Sequence, residues 1–258
     1  MSDPLAVIAG LPGVPEAVQE AREAVDRLYR HRVLRRRSPE VSAESALRGA
    51  RASAAIEGVD VPLEPLRMGE VTDPVVQGAL RASAELGRLA LTWRSAPRQV
   101  LARLHALAAV GLTEDLGRPR TAPTDVDPLG LGPAPGPEET AARMSALAGL
   151  VTGPTKAPAL VLAAIVHAEL VVLRPFGVAD GLVARAAERL TLVDLGLDPK
   201  SLAAVEVGHL ELGEAYAESL RAYLKGTSEG VATWVRHCAS AVVHGVRETT
   251  AICEAMSR

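Results

Sequence analysis

A chain of 258 residues is long enough to bury most of its apolar surface without disulfide staples. Hydrophobic residues make up 48% and aromatics only 2%, so the core must come from Leu, Val and Ala, and the helix preference of Ala and Leu predicts an all-α protein. A formal net charge of -3 gives no global field for nucleic acid or for an anionic membrane, so neither is expected as a partner.

The amino-terminal MSDPLAVIAG lacks the basic start and long apolar core of a secretion signal, and the chain reads as cytoplasmic. Residues 15–37 mix apolar and charged positions at helical spacing through Val18, Arg22, Val25, Leu28 and Tyr29. They end in the basic run YRHRVLRRR, whose arginines complement the dipole of a last helical turn without a nucleic-acid partner. Ser38-Pro39 restarts a helix as N-cap and first helical residue, and that helix is expected to run to Glu57 and stop at Gly58.

Further helices are expected at 73–93, 97–110, 137–151, 155–173, 180–195, 209–224 and 229–255. Between them, residues 117–139 (GRPRTAPTDVDPLGLGPAPGPEE) are loaded with Pro and Gly and read as a functional lid or a disordered linker. The longest apolar run, 157–173, is interrupted by His167 and Glu169 and falls short of the about 20 residues of a membrane span. A helix apolar nearly all round belongs instead at the centre of a bundle. The only two cysteines, Cys238 and Cys253, share one predicted helix at a separation of roughly 22 Å. They cannot pair, and they read as core thiols in a reducing compartment.

The stretch LRPFGVADGLVAR (173–185) carries the candidate chemistry. Pro175 cannot continue the preceding helix, Phe176, the single phenylalanine, is expected to anchor the loop, and Gly177 and Gly181 permit tight turns. Asp180 sits where an N-cap belongs, and the helix start after it offers unpaired N–H groups to an anion. Arg185, about one turn on, is placed to point back over that site.

IVHAELVVLRPFGVADGLVAR resembles the core of the Fic (filamentation induced by cAMP) proteins. Their signature reads His-Pro-Phe, one variable residue, Asp or Glu, Gly-Asn-Gly-Arg, two variable residues, Arg. Pro175, Phe176, Gly181 and Arg185 match it in register, and LHALA from Leu104, PGPEETAARMSAL and EGVATWVRHCASAV extend the likeness over most of the chain. ASAAIEG, through Ser53, Glu57 and Gly58, is similar to the inhibitory-helix pattern of the same family. The resemblance implies a Fic-type helical bundle as one domain over 1–258. Residues 1–60 would be N-terminal helices that include the inhibitory one, and 97–258 the core, with a flap at 117–139. It also implies a Glu57 to Arg185 ion pair that obstructs the ATP γ-phosphate, and an anion site of Gly181, Arg185 and Asp180.

The reaction implied by the resemblance is AMP transfer from ATP to a protein hydroxyl, with a histidine base and an acidic Mg²⁺ ligand. Here Arg174 stands at the histidine position, Val178 at the acidic one, Ala179 for the first glycine, Asp180 for asparagine and Leu182 for the first arginine. Arginine stays protonated and cannot serve as base, and valine offers no oxygen to Mg²⁺. The sequence thus reads as a degenerate Fic-fold protein acting on an unidentified protein partner, or as a homo-oligomer, by binding or assembly. ATP is the ligand a retained pocket would take. The alternative is a noncanonical nucleotidyl or phosphoryl transferase in which Arg174 stabilises charge. His105, His167 and His209 fall in separate predicted helices without a two-histidine i, i+4 spacing, so no metal site is expected, and His167 is expected to be a hydrogen-bonded core histidine.

Overall fold

The structure is a computed structural model and describes residues 3–257, so the first two residues of MSDPLAVIAG and Arg258 lie outside it. Twelve α-helices are present among the described residues: α1 Pro4–Ala9, α2 Val14–Tyr29, α3 Leu34–Ile56, α4 Leu63–Arg67, α5 Pro74–Leu89, α6 Pro97–Ala108, α7 Pro137–Thr152, α8 Ala159–Leu173, α9 Asp180–Asp194, α10 Val205–Glu211, α11 Glu214–Leu224 and α12 Ser228–Ala255. A 3-10 turn, Ala90–Thr92, follows α5, and no β-strand occurs among the described residues. The fold is an all-α bundle.

Helix α8 forms its axis. Every residue of α8 except Ala159 and Glu169 is buried, because it is surrounded by α9, α12, α7, α11 and α1. Its apolar circumference is thereby spent on neighbouring helices, as expected for a bundle centre. None of the described helices is long and apolar enough to cross a membrane. Both cysteines lie buried on α12 with free thiols.

Several boundaries differ from the sequence expectation for local physical reasons. The first long helix stops at Tyr29, and Arg35, Arg36 and Arg37 fall in the opening turns of α3, so most of the basic run faces the wrong end of a helix dipole. The restart at Ser38-Pro39 takes the form of a kink at Arg37 (φ -124°, ψ 25°), with Pro39 inside α3. Helix α8 begins only at Ala159 because Pro158 is extended (φ -56°, ψ 144°) at its N-cap. The expected helix at 209–224 is two helices, broken at Gly213 (φ 56°, ψ -126°), a conformation that a side chain would strain. Helices α1, α4 and the first turn of α10 had no sequence expectation.

Candidate functional site

The loop between α8 and α9 turns through two residues in the left-handed region, Arg174 (φ 46°) and Ala179 (φ 58°), with Gly177 (φ 81°) between them. Ala179, not Asp180, is the N-cap of α9, and it brings no capping side chain. Asp180 is instead the first helical residue, and its Oδ1 accepts from the Phe176 amide at 3.0 Å, closing the loop on itself. Burial lifts the Asp180 carboxyl to about 8, with the Phe176 and Gly177 amides opposing and the Glu57 charge adding to the rise. Burial thus favours the protonated form of Asp180.

Phe176 stacks on His105 of α6, with ring centroids 4.1 Å apart and planes 5° from parallel. His105 Nε2 donates to the Val178 carbonyl (3.2 Å), and its Nδ1 accepts from the Gly117 amide (2.9 Å). One neutral imidazole thus ties the α8–α9 loop to the start of the Pro/Gly-rich segment, and burial lowers its pKa. Phe176 itself is only partly buried, and its stacking partner is a histidine that sequence spacing did not connect to the loop.

Arg185 of α9 is fully buried and points back toward α3. Its Nη2 lies 2.6 Å from Glu57 Oε1 and 3.0 Å from the Ser53 carbonyl, its Nε donates to Ser53 Oγ (2.8 Å), and its Nη1 reaches the Tyr216 hydroxyl (3.3 Å). The Glu57 carboxylate rests directly on the Cα of Gly181, where any Cβ would collide with it. The group against the start of α9 is thus the chain's own Glu57 carboxylate. Gly58 (φ 93°) releases the chain from α3 just after Glu57.

Arg174, in the position between α8 and the loop, is buried. Its Nη1 donates to the Val126 carbonyl (2.7 Å), its Nη2 to the Gly132 carbonyl, and Asp127 Oδ1 lies 3.4 Å away. Asp127 in turn accepts from the Leu131 and Gly132 amides at 2.9 and 2.8 Å. Arg120 adds a second tie, donating to the carbonyls of Arg174 (2.8 Å), Leu173 (3.1 Å) and Ala122 (2.9 Å). Residues 117–136 thus form a segment pinned to the α8–α9 loop by guanidinium-to-carbonyl bonds. Beneath it, between Glu57, Arg174, Gly181 and Leu129, remains a cavity of about 30 Å³, room for one water. Arg174 is one of its lining residues, and the Nε of this side chain is buried and without a partner.

No protein-family model and no curated protein matches the chain. Solved structures do. A Fic family protein from Desulfovibrio desulfuricans G20 superposes with a TM-score of 0.78 at 22% identity, over 93% of this chain and 75% of that one. A fragment of Fic-1 from C. elegans gives a TM-score of 0.65 at 17% identity, over 94% and 73%. A Fic domain containing signaling protein from Bacteroides thetaiotaomicron VPI-5482 gives 0.62 at 16%, over 93% and 98%. The chain has the Fic fold.

Against the Fic signature, the matched residues Pro175, Phe176, Gly181 and Arg185 hold the loop and the start of α9. Among the departures, Leu182 is buried and apolar. Val178 engages only through its carbonyl, to His105. Three participants were not singled out from the sequence. Tyr216 touches Arg185 only because α11 folds back on the bundle. Arg120 lies in an irregular segment with no helical register. Glu188 leaves one trace: it is an acidic residue one turn beyond Arg185, in a helix otherwise expected to be buried. In the structure its Oε2 lies 2.6 Å from His167 Nδ1 and 2.8 Å from His209 Nε2, while His167 Nε2 meets the Tyr216 hydroxyl at 2.7 Å. Burial pushes the His167 imidazole down to about 4, as a hydrogen-bonded, uncharged core histidine should be.

Proposed function

We propose that this Fic-fold protein acts by binding or assembly and does not carry out AMP transfer, with its nucleotide-sized site held shut by Glu57. The observation that carries the reading is Arg174. The side chain at the position of the family's general base is a permanent cation, and its guanidinium is committed to the Val126 and Gly132 carbonyls of the flap. It has no lone pair with which to take a proton from a target hydroxyl. Val178 supplies no side-chain oxygen to a metal, and the remaining cavity of about 30 Å³ admits no nucleotide. Within the proposal, residues 1–60 provide the obstructing glutamate, and 97–258 the core with its flap at 117–139.

The test uses wild type and Glu57→Gly, with Glu57→Gln as a control that keeps side-chain volume, each incubated with ATP and Mg²⁺ alone and with cell lysate. Unchanged intact masses and no modified lysate protein are expected for all three. Transfer of an AMP group by either variant overturns the reading. One observation favours the alternative, a noncanonical transferase in which Arg174 stabilises charge: its buried, unpartnered Nε could donate to a phosphate oxygen once Glu57 is gone. On that alternative, Glu57→Gly gains calorimetric ATP binding that a further Arg174→Ala substitution removes.

A further inference from the structure

Four helices each send one polar side chain to a single point in the buried centre of the bundle, apart from the flap and its cavity. His167 of α8, Glu188 of α9, His209 of α10 and Cys238 of α12 are all buried, and one donor atom from each lies within 4.8 Å of the others. Two imidazole nitrogens converge on the same carboxylate oxygen, at 2.6 and 2.8 Å. We propose that this cluster is a structural binding site for a zinc-like divalent transition metal ion, held by His167 Nδ1, His209 Nε2, a Glu188 oxygen and the Cys238 sulfur.

The donor set selects the class of ion. Two imidazoles, one carboxylate and one thiolate complete a four-coordinate shell suited to zinc, whereas Mg²⁺ and Ca²⁺ take oxygen ligands. The charges also close: a dication with one carboxylate and one thiolate sums to zero, so a charged group in the low-dielectric core gains a full counter-charge. Outer partners orient both imidazoles. His167 Nε2 faces the Tyr216 hydroxyl at 2.7 Å, and His209 Nδ1 faces His237 Nε2 at 3.1 Å.

In the metal-free arrangement the imidazole N–H groups donate to Glu188, which explains the short distances. To admit an ion with bonds of about 2.0–2.3 Å, the carboxylate oxygen must draw back by roughly 1 Å. His167 shifts its proton from Nδ1 to Nε2, with Tyr216 becoming the acceptor. His209 shifts its proton from Nε2 to Nδ1, with His237 accepting on Nε2 and carrying its own proton on Nδ1. The imidazoles lose no proton, and the single proton released to solvent is that of the Cys238 thiol. With all four positions filled by protein, the ion has no open site for chemistry, and its effect is to cross-link α8, α9, α10 and α12.

Linear spacing gives no warning of such a site, because no two of these residues share a helix. The test begins with the full-length chain unfolded in denaturant with chelator and refolded with Co²⁺ or Zn²⁺ alone, so that entry into a closed core is not limiting. About one equivalent of cobalt should remain after dialysis, with the visible bands of tetrahedral cobalt and a sulfur-to-cobalt charge-transfer band. Cys238→Ser should remove the charge-transfer band, and Cys253→Ser on the same helix should keep it. Refolded wild type with native circular dichroism but no retained metal overturns the proposal, as does a band that follows Cys253. Should Cys238→Ser fail to fold, alkylation of wild type in mild denaturant decides. Zinc should slow labelling of Cys238 at least tenfold while leaving Cys253 unchanged, and equal labelling with and without zinc overturns the site.

Discussion

Asp180 lies between the Phe176 amide, from which it accepts, and the negatively charged Glu57, and the Arg120 charge opposes the rise in its pKa. Its folded pKa of about 8 exceeds the ordinary aspartate value of 3.8, so the folded state holds a proton that the unfolded chain has lost throughout that interval. Stability contributed by this group is present in acid and is lost as pH rises through about 8. The denaturation midpoint of the wild type should fall between pH 5 and pH 8 by chemical unfolding. Asp180→Asn, which keeps an acceptor for the Phe176 amide, should flatten that slope and be the more stable protein at the alkaline end. A residue such as this shows where the sequence stops being legible. The sequence placed it one residue too early, at the N-cap rather than the first helical position, and its charge state depends on burial against Glu57 and residues 117–136, which no local pattern encodes. The pairing of Arg185 with Glu57 was expected only through the resemblance to the Fic signature and its inhibitory-helix pattern, not from the spacing of the residues themselves. Tyr216, the remaining partner of Arg185, belongs to neither.

The helices were the most legible elements, because Pro, Gly and Ser or Asp punctuate most of their ends. Their breaks were less so: Gly213 divides α10 from α11 within a stretch whose periodicity continues across it. Close approaches between helices were hidden as well, since they depend on which glycine faces a neighbour. In α5, a Cβ at Gly78 would run into the carbonyl of Ala108 at the end of α6, whereas one at Gly87 would meet nothing within 4 Å. Two identical substitutions in one helix should therefore have opposite signs. Gly78→Ala should destabilise by about 1–3 kcal/mol through overpacking against backbone that cannot yield. Gly87→Ala should stabilise by about 0.5–1 kcal/mol through helix propensity. Urea denaturation of both variants checks the pair, and a neutral Gly78→Ala would mean that α5 and α6 are not in backbone contact.

At the scale of the molecule, the amino-terminal helices are part of the bundle rather than an appendage. Helix α3 packs on α5, α9, α10 and α12, and its Ser45 and Ser53 bond the buried arginines Arg189 and Arg185. Calorimetry should accordingly show one transition, with the calorimetric and van't Hoff enthalpies equal. Deleting residues 1–60 should produce no separate low-temperature step but loss of the folded state, since it leaves Arg185 and Arg189 without their α3 partners in an apolar interior. The contacts of Arg174 extend the same interdependence to residues 117–136. Arg174→His would give up the guanidinium that holds the Val126 and Gly132 carbonyls and would leave Val178 and Leu182 as they are. On the proposed function, that single substitution costs structure and brings no transfer activity, and only several changes made together could do otherwise.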